Sequence, residues 1–465
     1  MRAAGEAEGR HSARPYRSDG EWENTLWNTI GHLQTIVRLE TVNPPGNEIG
    51  AARYIEDVLR GAGVETALLE PAPGRAILHA RIRGCGEARP LLLVAHMDTV
   101  GVERERWTTA PFGGELLDGY LYGRGAIDDK GMLAVNLQMM LTLREFLENG
   151  APRPARDLVF LATGDEEAGG GLGMEWLVKE RPDLLDGEYA LNEGGRLREE
   201  DGRIRYCAVQ CAEKASHVLY LRARGTSGHA AVPRPDNAIM RLARALARLA
   251  AYREPLELSE ITRRFFAGMA AVVQDPADRE SLAGLVSGES DRESRAAALL
   301  AARPEWDALV RNTVAATMVT GGIRANVVPA EATAVLSVRT LPGVMVEHVL
   351  DRLRPVVEEE GVELVVAERS GSAPASDPDS AMFRAIREAV AELSPGVPTL
   401  PYLSAGATDS AALRRLGVAA YGLLPFPLSA EDESRMHGHD ERVAVSSLAF
   451  GVRLEWGIVA RMLWP

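Results

Sequence analysis

Three short apolar runs, each ending in acidic or imidazole side chains, constrain this chain more than any other feature. They are PLLLVAHMDTV (90–100), DLVFLATGDEE (157–167) and EYALNEGG (188–195). Each has the length and apolar content of a buried strand. Between and before them, segments 22–39, 48–62 and 131–150 read as amphipathic helices, the last stopping at Gly150. Strand–helix alternation predicts an α/β layered domain. The polar residues come at the C-terminal ends of the strands, where ligands bind in such sheets.

From about residue 213 the pattern changes. Strands are predicted over 217–225, 313–322, 332–343 and 362–369, with helices over 237–252 and 345–361. Pro355 is expected to kink or end the second helix. The order β-α-β-β-α-β makes a compact split-βαβ (ferredoxin-like) domain. Within it, 253–311 is a charged insertion with helical patches, too long for a plain loop. After 371 the α/β texture returns, with a helix over 377–393 capped by Asp377 and a closing helix over 443–463. A chain of 465 residues exceeds one ordinary core. The expected organisation is a disordered tail (1–21), a discontinuous α/β/α catalytic domain (22–212 and 372–465) and an inserted domain (213–371).

Bulk properties narrow the function. The chain is 46% hydrophobic and 25% charged, the composition of a soluble globular protein. Its net charge of −14 argues against nucleic acid or an anionic membrane as partner. No apolar run approaches the ~18–20 residues needed to span a bilayer. The charged N-terminal segment lacks the apolar centre of a secretory signal. Three cysteines, Cys85, Cys207 and Cys211, do not make a disulfide framework and suit a reducing cytoplasm.

The chemistry-bearing residues sit at strand ends and in glycine-rich turns. In AHMDTV, His96 and Asp98 are two apart and share one face of a strand. His96 can ligate a metal while Asp98 fixes its tautomer; taken alone, the pair also reads as a satisfied histidine. GRGAIDDKG (123–131) can deliver Asp128 through tight backbone turns, or it is a surface turn in which Asp129 caps a helix. GDEEAGGG (164–171) crowds Asp165, Glu166 and Glu167 at the end of an apolar strand, which is costly without cations or hydrogen bonds. Glu193 ends the next run, and MHGHDERV (436–443) adds His437, His439, Asp440 and Glu441. His, Asp, Glu, Glu and His form an N/O donor set that suits zinc, and less strongly cobalt or manganese. Five ligands serve two divalent ions if one carboxylate bridges them.

At these residues the chain resembles the co-catalytic zinc peptidases that include aminoacylase, acetylornithine deacetylase, succinyl-diaminopimelate desuccinylase and carboxypeptidase G. It is most similar to their carboxypeptidase S branch, because of the insertion and RNTVAATMVTGGIRANVVP. The resemblance implies that His96 and Glu193 bind one zinc, Glu167 and His437 the other, and that Asp128 bridges them. It implies Glu166 as general base and later acid, Asp98 as the partner of His96, and a cis Asp128–Asp129 bond. His437, rather than His439, matches the family's last ligand. The inserted domain resembles a lid and dimerisation domain, which implies a homodimer. His229 then polarises the scissile carbonyl, Asn326 and Arg339 hold the substrate carboxylate, and Gly406 contacts substrate in SAGATDSAAL. The implied activity is hydrolysis of peptides or N-acyl amino acids beside a free carboxylate, by a metal-bridging water that Glu166 activates. The alternatives are a biosynthetic deacylase for one N-acyl amino acid and a non-catalytic dimeric binding protein.

Overall fold

The computed structural model describes residues 14–287, 290–358 and 361–465. The chain divides into two compact units. The first comprises Met1–Cys211, Ser376–Pro401 and Thr408–Pro465; the second comprises Ala212–Ala375 and Tyr402–Ala407.

The first unit is an α/β/α layered domain. At the centre of its sheet, Leu158–Thr163, Leu91–His96, Tyr189–Asn192 and Ala419–Gly422 lie side by side and parallel. Ile77–Ile82 and Glu65–Leu69 extend one edge antiparallel. The other side continues through Arg203–Glu213, Arg196–Glu200 and Pro427–Ser429. All six residues of Leu91–His96 and of Leu158–Thr163 are buried, as expected for strands covered on both faces. Leu92, Val94, Val159 and Leu161 pack against Met174, Leu177, Ala412 and Leu413. The other layer holds four helices, Asp19–Arg38, Lys130–Glu148, Ala381–Leu393 and Val445–Leu463, packed on one another. In the register His96 lies opposite Thr163, so two chemistry-bearing loops leave the sheet at the same level.

Local details differ from expectation in three places. The first helix begins at Asp19, with Ser18 and Glu21 forming a capping box. Just before it, Arg17 is buried against Thr25 and Glu145, so the expected tail is anchored by that point. Residues 1–13 of that tail lie outside the described residues. Ser380, not Asp377, caps Ala381–Leu393 by accepting the Phe383 N–H at 3.1 Å. The helix Val346–Val357 stops short of the predicted 361, two residues after Pro355, which was expected to kink or end it. There, in the last turn, the proline's missing N–H costs one bond only.

The second unit holds a four-stranded antiparallel sheet in the order Thr313–Gly321, Glu331–Thr340, Ala215–Arg224, Val362–Arg369. Burial alternates strictly along Ala215–Arg224, the signature of a sheet covered on one face. Leu219, Leu221, Leu336 and Val338 meet Leu242, Leu249, Val349 and Leu353 of the helices Ala238–Ala251 and Val346–Val357. The insertion is helical: Glu260–Val272, Pro276–Ser287, Ser290–Ala301 and the short Pro304–Asp307. Thr313–Gly321 is an edge strand, exposed from Ala315 onward.

Candidate metal centre

His96 ends its strand and is 2% exposed. Its Nδ1 lies 3.0 Å from the main-chain oxygen of Asp98, which can only accept, so Nδ1 donates. Nε2 is thereby aimed at Asp128 Oδ1, 3.0 Å away. His437, at φ +58°, places its Nε2 3.0 Å from the other Asp128 oxygen and 3.3 Å from Glu167 Oε1. Asp128 thus lies between two imidazoles that are remote in sequence. Its peptide bond to Asp129 is cis. Asp129 does not cap the following helix with its side chain; it is fully buried and its Oδ2 accepts the His96 N–H at 3.3 Å.

Glu166 and Glu167 stand in a single 3₁₀ turn, Glu166–Ala168, after Asp165 at φ +67°. Glu193 follows its strand directly and precedes Gly194 at φ +116°. At that angle a side chain would be strained, so glycine suits the turn.

Two groups of donor atoms emerge. His96, Asp128 and Glu193 form one; Asp128, Glu167 and His437 form the other, the atoms of each lying within 4.8 Å of one another. All five expected ligands are included and Asp128 is shared. His439 is in neither group and faces Glu103 at 3.6 Å. The electrostatics fit cations. Burial pushes the Glu193 carboxyl up to about 8, with Asp128, Glu167 and Asp409 adding to the effect. Burial, Glu193, Asp409 and Asp128 likewise hold Glu166 well above the usual range, against the pull of His96. Asp128 and Glu167, accepting hydrogen bonds from its ring, raise His437 to about 10. Protons here compensate clustered negative charge, and divalent ions on the same N/O donors would do so instead. Glu167 Oε1 is buried and faces His437 Nε2 at 3.3 Å, a placement that also suits a ligand atom.

Further residues position this set, and of them Asn43, Arg75, Glu48 and Arg124 were not singled out in the sequence. The Asp98 carboxylate is 3.5 Å from His96 Nδ1. Its closer work is to accept the N–H groups of Glu166 and Glu167, each at 3.1 Å, and Asn43 Nδ2 at 2.8 Å. Asn43 also donates to Asp165 at 3.0 Å, and Arg75 joins Asp165 to the fully buried Glu48. Glu441 accepts the N–H groups of Gly125, Ile127 and Asp128 and binds Arg124 Nη1 at 2.6 Å. Arg124 also reaches the Gly438 carbonyl, tying the Asp128 loop to the His437 turn. Asp409 accepts from Thr163 Oγ1 at 2.7 Å.

The remaining expected site residues belong to the second unit. His229 and Asn326 come together there: His229 pairs with Val327, and Asn326 accepts the Ala230 N–H at 3.0 Å. His229 Nδ1 accepts from Ala231 N at 3.1 Å, leaving Nε2 as the exposed donor. Arg339 lies on Glu331–Thr340, opposite Ser216 and Thr313. Gly406 is exposed, and its N–H binds Ser404 Oγ at 3.1 Å.

Residues 92–460 match the model of peptidase family M20/M25/M40. The chain belongs to that family. It is an M20 hydrolase of mixed α/β fold. Among relatives, this M20 chain is 30% identical over 367 residues to the N-fatty-acyl-amino acid synthase/hydrolase PM20D1 of Xenopus tropicalis, covering 77% of this chain and 70% of that one. It is 29% identical over 367 residues to the probable carboxypeptidase S-like 2 of Dictyostelium discoideum, covering 77% and 69%. The fold matches the M20 family metallo-carboxypeptidase Sso-CP2 of Sulfolobus solfataricus with a TM-score of 0.70, at 18% identity, over 94% and 99% of the two chains.

Proposed function

We propose that this M20 hydrolase is a two-zinc amidohydrolase that cleaves peptides or N-acyl amino acids beside a free carboxylate. The observation that carries the reading is Asp128, bonded on one oxygen by His96 and on the other by His437. His96 and Glu193 would hold one ion, Glu167 and His437 the other, with Asp128 common to both. When bound, the ions supply Lewis acidity to the scissile carbonyl and acidify water. Glu166 takes the proton of the attacking water and returns it to the leaving amine. Asp98 holds the turn that aims Glu166. His229 offers Nε2–H to the developing oxyanion. Arg339 and Asn326 grip the substrate carboxylate, a task for which a guanidinium fork is suited, and Gly406 lets the backbone approach substrate.

We further propose a homodimer through the second unit, because Thr313–Gly321 leaves Met318 and Val319 about 60% exposed on an unpaired edge. No helix among the described residues is long and apolar enough to cross a membrane. The three cysteines are free, which supports a cytoplasmic location.

Glu166→Gln tests the chemistry. Turnover should fall by several orders of magnitude while zinc content, measured by mass spectrometry, stays near that of the parent. Undiminished turnover removes Glu166 from the role. A panel of dipeptides and N-acyl amino acids, assayed with zinc and with chelator, separates a broad peptidase from a deacylase dedicated to one substrate. No chelator-sensitive hydrolysis of any amide would favour a binding protein.

A further inference from the structure

The helical insertion 253–311 has no place in the chemistry above, yet it is firmly built into the second unit. Its two ends are tied together by the Glu257 N–H on the Val310 carbonyl at 2.8 Å and by Asn312 Nδ2 on Glu254 at 3.0 Å. Its first helix, Glu260–Val272, buries Phe265 and Phe266, which are 2% and 0% exposed. Phe265 meets the ring of Tyr402 with centroids 5.4 Å apart. Tyr402 opens the segment Tyr402–Ala407, which contains Gly406 and which packs with the second unit although the chain on both sides of it belongs to the first.

A second tie reaches the same segment. Lys214 is 1% exposed. Its backbone N–H donates to the Ser404 carbonyl at 3.1 Å. Its Nζ donates to the Ala308 carbonyl, inside the insertion, at 2.9 Å, and to Thr313 Oγ1 at 3.1 Å. Thr313 is the cross-strand partner of Arg339. One lysine therefore joins the insertion, the strand beside the carboxylate-gripping arginine and the glycine-bearing loop. Burying an ammonium group is costly, so a lysine kept at this junction makes its bonds to specific acceptors rather than to water.

We propose that the insertion is a specificity-determining buttress: through Phe265 on Tyr402, and Lys214 on Ser404 and Ala308, it fixes the position of the loop 402–407 against which substrate rests. This inference depends on the reading of Gly406 as a substrate contact. Phe265 and Lys214 are positioning residues, acting through the loop. Loss of a ring pair or of buried hydrogen bonds should loosen the loop without disturbing the ligand set, which lies wholly in the first unit.

The test uses full-length Phe265→Leu and Lys214→Met proteins, with Tyr402→Leu as a third variant should either fail to fold. Hydrogen–deuterium exchange is followed for amides 402–407, with Val346–Val357 as internal control. KM and kcat are measured on zinc-loaded protein across dipeptides and N-acyl amino acids. The expected result is faster exchange at 402–407 alone. KM should rise by about three- to tenfold, unevenly across the panel, with kcat and zinc content retained. Unchanged loop exchange in the variants overturns the buttress. A loosened loop with an unaltered ranking of substrates overturns its role in specificity. A parent protein that cleaves nothing in the panel sinks the amidohydrolase reading instead, while the exchange result still decides the buttress.

Discussion

Glu441 does more to hold Asp128 in place than any residue next to Asp128 in sequence. Its carboxylate is fully buried, receives three N–H groups from the loop 125–128 and is paired with Arg124. Glu441→Gln would leave the Arg124 charge buried and unpaired, at a cost of roughly 3–5 kcal/mol. The variant should melt earlier and retain less zinc, as read by calorimetry and mass spectrometry. Native stability with full metal content would show that the loop holds itself. The five side chains that gather here were legible as candidates because carboxylates and imidazoles at the ends of apolar strands are an unusual expense, and several occur together. Glu441 was visible as one of an acidic run but not as a clamp, since its partners lie more than 300 positions away. Asn43 was illegible for the same reason: an asparagine in a proline-rich turn looks local until Asp98 and Asp165 are found on either side of its amide.

Among the elements, the parallel strands were the easiest to foresee, because six-residue runs buried on both faces need no alternation to betray them. Helix starts were harder. Asp377 and Ser380 are both plausible caps, and the contacts of Phe383 chose the serine. The helix Val445–Leu463 hides a second surprise in Glu455, whose two oxygens are fully buried with no hydrogen-bond partner among the described residues. Burial raises its carboxyl well above the usual range. An unfolded glutamate ionises near ~4.3, so this side chain weakens the fold progressively as pH rises beyond that value, until the folded carboxyl itself ionises. Glu455→Gln should therefore raise the melting temperature more at pH 8 than at pH 5, and a difference independent of pH would mean that the group is solvated or paired. The edge strand Thr313–Gly321 yields its own prediction. A lysine at Val319 puts charge on an exposed apolar edge, and light scattering should then find monomers where the parent forms dimers. Dimers in both proteins would place the interface elsewhere.

For the whole molecule, the division into two units predicts an uneven response to metal. The five candidate ligands all lie in the first unit. Zinc at a hundredfold excess over its dissociation constant stabilises the state that binds it by about 2.7 kcal/mol. Chelation should accordingly lower the melting temperature and speed amide exchange in the first unit, with exchange in the core of the second unchanged. A uniform response in both would indicate that they unfold together. The bond between His437 and Asp128 spans 309 positions, and this has a bearing on biogenesis. A nascent polypeptide emerging from the ribosome presents four of the five candidate ligands long before the last imidazole has been translated. The acidic cluster must therefore wait with its charge only partly compensated, and only synthesis of the final portion of the chain brings the last imidazole to it.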